Sequence, residues 1–224
     1  MTSVADLWER LRGLALGKPR PLLLYCADPM CSWCWGFSPV LAQLAARYRE
    51  QLTVVPLMGG LRAGNTVPID TRLREEILQH WRAVHASSRQ PFAFDGALPD
   101  GFVYDTEPPC RALVTVQDLA PDESLRFLHR LQQAFYVEQQ PISRSEVLAR
   151  LAVGASVDRA MFGAHFRSEA MRMRTRGHFR LTRALGVRGF PTVWMVDAQR
   201  VQLLTRGYRP LEQLTPLVDA WLGD

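Results

Sequence analysis

Apolar positions in this chain follow two patterns. Short unbroken runs stand at PLLLYCA (21–27), LTVVPL (52–57), TVWMV (192–196) and, less uniformly, VQLLTR (201–206). Runs of that length bounded by Pro, Gly or Asp predict strands, and the first, apolar throughout, predicts one buried on both faces within a mostly parallel sheet. Elsewhere the apolar residues recur at helical spacing. They predict a helix from Cys31 to Tyr48, with an inner stripe of Val40, Leu41, Leu44, Ala45 and Tyr48 and a kink at Pro39. Further helices are predicted near 71–88, 110–119, 122–139, 144–153 and 158–168, with LEQLTPLVDAWLG closing the chain as another. Ser143 and Glu146 read as a capping box for the helix at 144–153, and residues 3–12 as a short amphipathic helix in which Ser3 and Asp6 resemble another. The stretch at 90–109 reads as loop. The resulting order is β-α-β, a long helical excursion, then α-β-β-α, which predicts an α/β fold with a helical insert and a right-handed first crossover.

Composition narrows the chemistry. A chain of 224 residues can bury a core without staples, and four cysteines are too few for a disulfide-stapled secreted scaffold, so their use should be chemical. The net charge is +5, but every basic residue except Lys18 is Arg and they are scattered, so no nucleic-acid partner is expected. The densest stretch, RMRTRGHFRLTR at 172–183, reads as a solvated helix face or as a site for an anionic partner such as glutathione or a phosphate. Asp6 and Glu9 interrupt the N-terminus, which lacks the apolar core of an export signal and points to the cytoplasm. No apolar run approaches the roughly 18 residues that span a bilayer, so no membrane association is expected.

The stretch CADPMCSWCWGFSP at 26–39 holds three of the cysteines. Cys26, Cys31 and Cys34 have the spacing of an iron–sulfur loop, with Cys110 as a distant fourth ligand. Against that, Cys26 lies in a strand and Trp33 and Trp35 crowd the turn. Zinc normally takes two close cysteine pairs, and no histidine pair suggests a hydrolytic site, so no metal is expected. A dithiol fits better. Two cysteines three apart at a helix start share one face, and the free amides and dipole there favour the Cys31 thiolate. Cys34, one turn in, is placed to resolve a mixed disulfide. VRGFPT at 187–192 puts Pro191 directly before a strand, a candidate cis bond, with Gly189 allowing close backbone approach. Cys110, after Pro108-Pro109, takes a helix-start position that would favour its thiolate, and reads either as an additional redox thiol or as a buried small hydrophobe. Asp28 reads as a turn residue, with proton transfer as the other role open to it. Gly59-Gly60 and Gly64 do not make a phosphate loop.

DPMCSWCWGFSP, HW at 80–81, QPF at 90–92, YDTEPPCRA at 104–112, AFYVE at 134–138 and GVRGFPT at 186–192 together resemble the thioredoxin superfamily, and within it the DsbA family. The likeness is closest to its cytoplasmic, FrnE-like branch of disulfide isomerases. The resemblance implies an α/β thioredoxin fold of β-α-β and β-β-α units over residues 1–60 and 175–224, with a helical domain inserted at 61–174. It also implies Cys31 as nucleophile, Cys34 as resolving thiol and a cis Pro191 that sets the Phe190 backbone beside the sulfurs. Trp33, Gly189 and Phe190 then join Pro191 in binding a protein or small-molecule disulfide. The dithiol needs no cofactor; an unidentified thiol supplies electrons, with glutathione a co-substrate to consider. Two alternatives stand: a kappa-class glutathione-dependent isomerase or transferase, which normally carries serine where this chain has a cysteine pair, and a non-catalytic module that docks a partner through Trp81 and the loop at 90–109.

Overall fold

Leu22–Ala27 (β1) is buried at every position and has a strand on each side. In this computed structural model, which describes Glu9 and residues 20–223, the sheet order is β2-β1-β3-β4. β2 (Thr53–Met58) runs parallel to β1 at one edge, while β3 (Thr192–Val196) and β4 (Val201–Arg206) are antiparallel. The sheet is therefore mixed, not mostly parallel; full burial of β1 follows from covered faces, whichever way its neighbours run. Pro56 is tolerated in β2 because an edge strand leaves one row of amides unpaired.

Strand alternation divides the core. Leu23, Tyr25 and Ala27 point to the face covered by α1 (Ser32–Arg47) and α8 (Leu211–Gly223), and Leu22, Leu24 and Cys26 point to the other, where they meet Trp194, Val196, Leu181 and Leu185. Between β2 and β3 lie α2 (Thr71–Ser88), α3 (Glu107–Leu119), α4 (Ser124–Tyr136), α5 (Ser145–Val153), α6 (Arg159–Arg167) and α7 (Glu169–Ala184). Among the described residues this gives four strands and eight α-helices, an α/β thioredoxin fold with a helical insertion. The helix expected at 3–12 lies outside the described residues apart from Glu9. Among the described residues, no helix is long and apolar enough to cross a membrane.

Aromatic packing locks the insert to α1. Trp81 is 1% exposed and meets Phe92, Phe135 and Tyr136 with ring centres 5.0–5.8 Å apart, and Tyr136 stacks on Trp35. A docking role for Trp81 at the surface is therefore overturned. The capping box of Ser143 and Glu146 does not form, since α5 starts one residue late, at Ser145, and Arg144 takes the cap position.

Candidate active site

The turn between β1 and α1 is built around Asp28. Its carboxylate accepts from the amide of Met30 (2.9 Å), an Asx-type turn, and from the amide of Leu61 (2.7 Å) in the loop after β2. It also accepts from the Cys110 thiol at 3.5 Å and bonds the Thr106 side chain. Asp28 is fully buried, and burial raises its pKa above the usual carboxylate range while these donors pull it back. Tyr104 closes the turn by donating to the Met30 carbonyl. One carboxylate thus ties the turn to the loop after β2 and to the start of α3.

Cys31 caps α1 with extended backbone and no side-chain cap, so the first-turn amides and the positive end of the helix dipole lie beside its sulfur. It is 7% exposed, and its thiol donates to the Phe190 carbonyl at 3.5 Å. Cys34 is fully buried one turn on and hydrogen-bonds Cys31; burial, then that bond, pushes its thiol well above the ordinary value. Both are free thiols in this structure.

Across from Cys31, the Phe190–Pro191 bond is cis, as the sequence predicts. The glycine that makes the close approach is not Gly189, where a Cβ would meet nothing within 4 Å. It is Gly59, where a Cβ would fall 1.9 Å from the Phe190 ring. Of the two, Gly59 is where a larger residue would displace the loop. Trp33 is half-buried beside Cys31 and its ring faces Tyr208 at 6.1 Å, a partner the sequence did not flag. Beside the cis-proline loop, Arg188 and Arg206 line a cavity of about 380 Å³ with Gly189, Phe190 and Thr192.

The other two cysteines are buried in different surroundings. Cys26 faces the opposite side of the sheet, and burial pushes its thiol up to about 12. Cys110 is not at the helix start: α3 begins at Glu107, because prolines fit a first turn whose amides are free anyway, and the Cys110 amide already bonds Thr106. Its thiol is fully buried, and burial together with Asp28 drives it upward, opposite to the effect expected of a helix start. QPF (90–92) also acquires a role that its composition did not signal. Gln90 donates to the Trp35 carbonyl and to Ser38, and the Trp35 indole donates to the Pro91 carbonyl, so the loop braces the helix that carries the thiols.

Two thiols at a helix start facing a cis-proline loop, on a sheet of this order, mark the thiol–disulfide oxidoreductases of the thioredoxin fold. The chain belongs to the DSBA-like thioredoxin domain family, whose model matches residues 24–216. It is similar to a crystal structure of a candidate protein disulfide isomerase from Nitrosomonas europaea, at 40% identity over 91% of this chain and 98% of that one, TM-score 0.86. The cytosolic disulfide reductase DsbM of Pseudomonas aeruginosa matches at 30% identity over 91% of this chain and 100% of that one, TM-score 0.74, and has also been solved with glutathione. Among curated proteins, the ClpXP adapter protein SpxH of Halalkalibacterium halodurans is 25% identical over 92% of this chain and 69% of its own length.

Proposed function

We propose that this protein is a cytoplasmic disulfide reductase or isomerase in which Cys31 attacks a substrate disulfide and Cys34 resolves the resulting mixed disulfide, glutathione being the thiol that restores the pair. The observation that carries the reading is the contact between the Cys31 thiol and the Phe190 carbonyl at 3.5 Å, which sets the nucleophile against the backbone edge of the cis-proline loop. An extended peptide or glutathione laid along that edge would bring its own sulfur to Cys31, with Trp33 and Tyr208 as an aromatic wall and Pro191 holding the edge. Arg188 and Arg206 supply positive charge for the carboxylates of glutathione. The cytosolic DsbM neighbour and its glutathione-bound structure support the compartment, the direction of electron flow and the co-substrate. In this reading Cys110 serves Asp28 as a hydrogen-bond donor and does not exchange disulfides.

The likeness to SpxH favours a second reading, docking of a protein partner, which a thiol-free variant would retain. The test is reduction of a peptide disulfide driven by glutathione. Wild type turns over and Cys31→Ser does not. Equal rates for the two would end the catalytic reading, and partner capture by the Cys31→Ser/Cys34→Ser protein would support the docking one.

A further inference from the structure

Cys34 must become a thiolate to resolve the mixed disulfide, yet it is fully buried, where an anion is costly. Besides Cys31, the backbone amide of Asp28 and the hydroxyl of Tyr25 lie against it. β1 alternation puts Tyr25 on the α1 face, 1% exposed, with its ring 6.0 Å from Phe37 and its hydroxyl donating to the Cys34 carbonyl at 3.5 Å, which holds it beside the resolving thiol. The Asp28 carboxylate is engaged elsewhere, by the amides of Met30 and Leu61, Thr106 and Cys110.

Building on the proposed dithiol exchange, we infer that Tyr25 is a catalytic residue of the resolving step, its hydroxyl donating a hydrogen bond to the Cys34 thiolate as that thiolate attacks the Cys31–substrate disulfide. Burial and the neighbouring thiols raise the Tyr25 phenol well above its ordinary value, so it remains a donor throughout and never takes up the Cys34 proton.

The exchange then balances without a protein base. The Cys31 thiolate attacks the substrate disulfide RSSR′, forming the Cys31–SR bond and releasing R′S⁻. The Cys34 proton passes to R′S⁻, giving R′SH. The Cys34 thiolate, held by Tyr25 and the Asp28 amide, attacks the Cys31 sulfur, expelling RS⁻ and closing the Cys31–Cys34 bond. The substrate gains two electrons and the protein dithiol loses them.

The test is single-turnover reaction of the reduced full-length protein with dipyridyl disulfide, whose two thiopyridone halves leave in succession and are read by absorbance. In Tyr25→Phe the first release, from attack by Cys31, is unchanged. The second, from Cys34, slows about tenfold, the worth of one hydrogen bond to a charged group, and its pH midpoint moves upward. A ring-fluorinated tyrosine at position 25, a stronger donor, moves the midpoint downward and keeps the question answerable should Tyr25→Phe fail to fold. A second release with the same rate and midpoint in the folded Tyr25→Phe protein, or an unmoved midpoint with the fluorinated residue, overturns the inference. Cys34→Ser serves as control: if wild type also lacked a second release, the dithiol reading would fail, not the role of Tyr25.

Discussion

Four thiols in one chain are given different chemistry by burial and by what they touch. Cys31 has a helix start behind it and a loop edge before it, whereas Cys34, Cys26 and Cys110 are sealed from solvent, and burial opposes their thiolates. Each unit by which burial raises a thiol's pKa cuts its thiolate fraction roughly tenfold. Iodoacetamide on the reduced native protein should therefore modify Cys31 first, the other three reacting at comparable rates only after unfolding; peptide mapping of the labelled sites checks this, and early labelling of Cys110 would contradict it. Gly59 offers a second residue-level test. A methyl group there collides with the Phe190 ring, so Gly59→Ala should lower glutathione-driven turnover several-fold while leaving Cys31 alkylation intact. An unchanged turnover would mean that the position of Phe190 does not matter to exchange.

At the scale of elements, the sequence pattern located β1, β2, β3, β4, α1, α2 and α8 to within a residue or so, because unbroken apolar runs and a clear helical stripe leave little ambiguity. What the pattern could not show was which elements would touch. Parallel or antiparallel pairing is absent from a single strand's composition, and the close approach at Gly59 and the facing of Trp33 by Tyr208 depend on loops far apart in sequence. Cys31, Cys34 and Pro191 were legible because their spacing and flanks are local. Tyr25 was hidden within an apolar strand, where it looked like one more core residue.

α7 carries a test of its own at this scale. His178 is half-buried against β2 and accepts a hydrogen bond from the Met58 amide, and desolvation there, aided by Arg174, holds its pKa down at about 4. Its folded pKa lies below the unfolded value of about 6.5, so between those values the unfolded chain binds the proton and the folded one does not. The contribution to stability is flat above about pH 6.5 and falls on acidification by up to about 1.4 kcal/mol per pH unit until about pH 4. Between pH 7 and 5, His178 should thus cost about 2 kcal/mol, and His178→Gln should remove that part of the loss. Urea unfolding at both pH values checks it; equal losses in the two proteins would contradict the assignment.

Across the whole molecule, a net charge of +5 favours the approach of anionic thiols, and Arg188 and Arg206 bring part of that charge to the cis-proline loop. Arg188→Glu/Arg206→Glu should raise the KM for glutathione more than that for neutral dithiothreitol, with a difference that shrinks as salt rises. A loss equal for both thiols would remove the carboxylate role of the two arginines. The helical insertion braces the site through Gln90, Tyr104 and the aromatic packing of Trp35 against Tyr136, so thiol chemistry and fold stability are linked through α1. The central claim is that Cys31 and Cys34 act in sequence on one disulfide. Its most direct measurement is mass spectrometry of Cys34→Ser after reaction with a peptide disulfide: the account calls for one stable adduct per chain, mapped to Cys31, and an adduct on Cys26 or Cys110, or none at all, would contradict it.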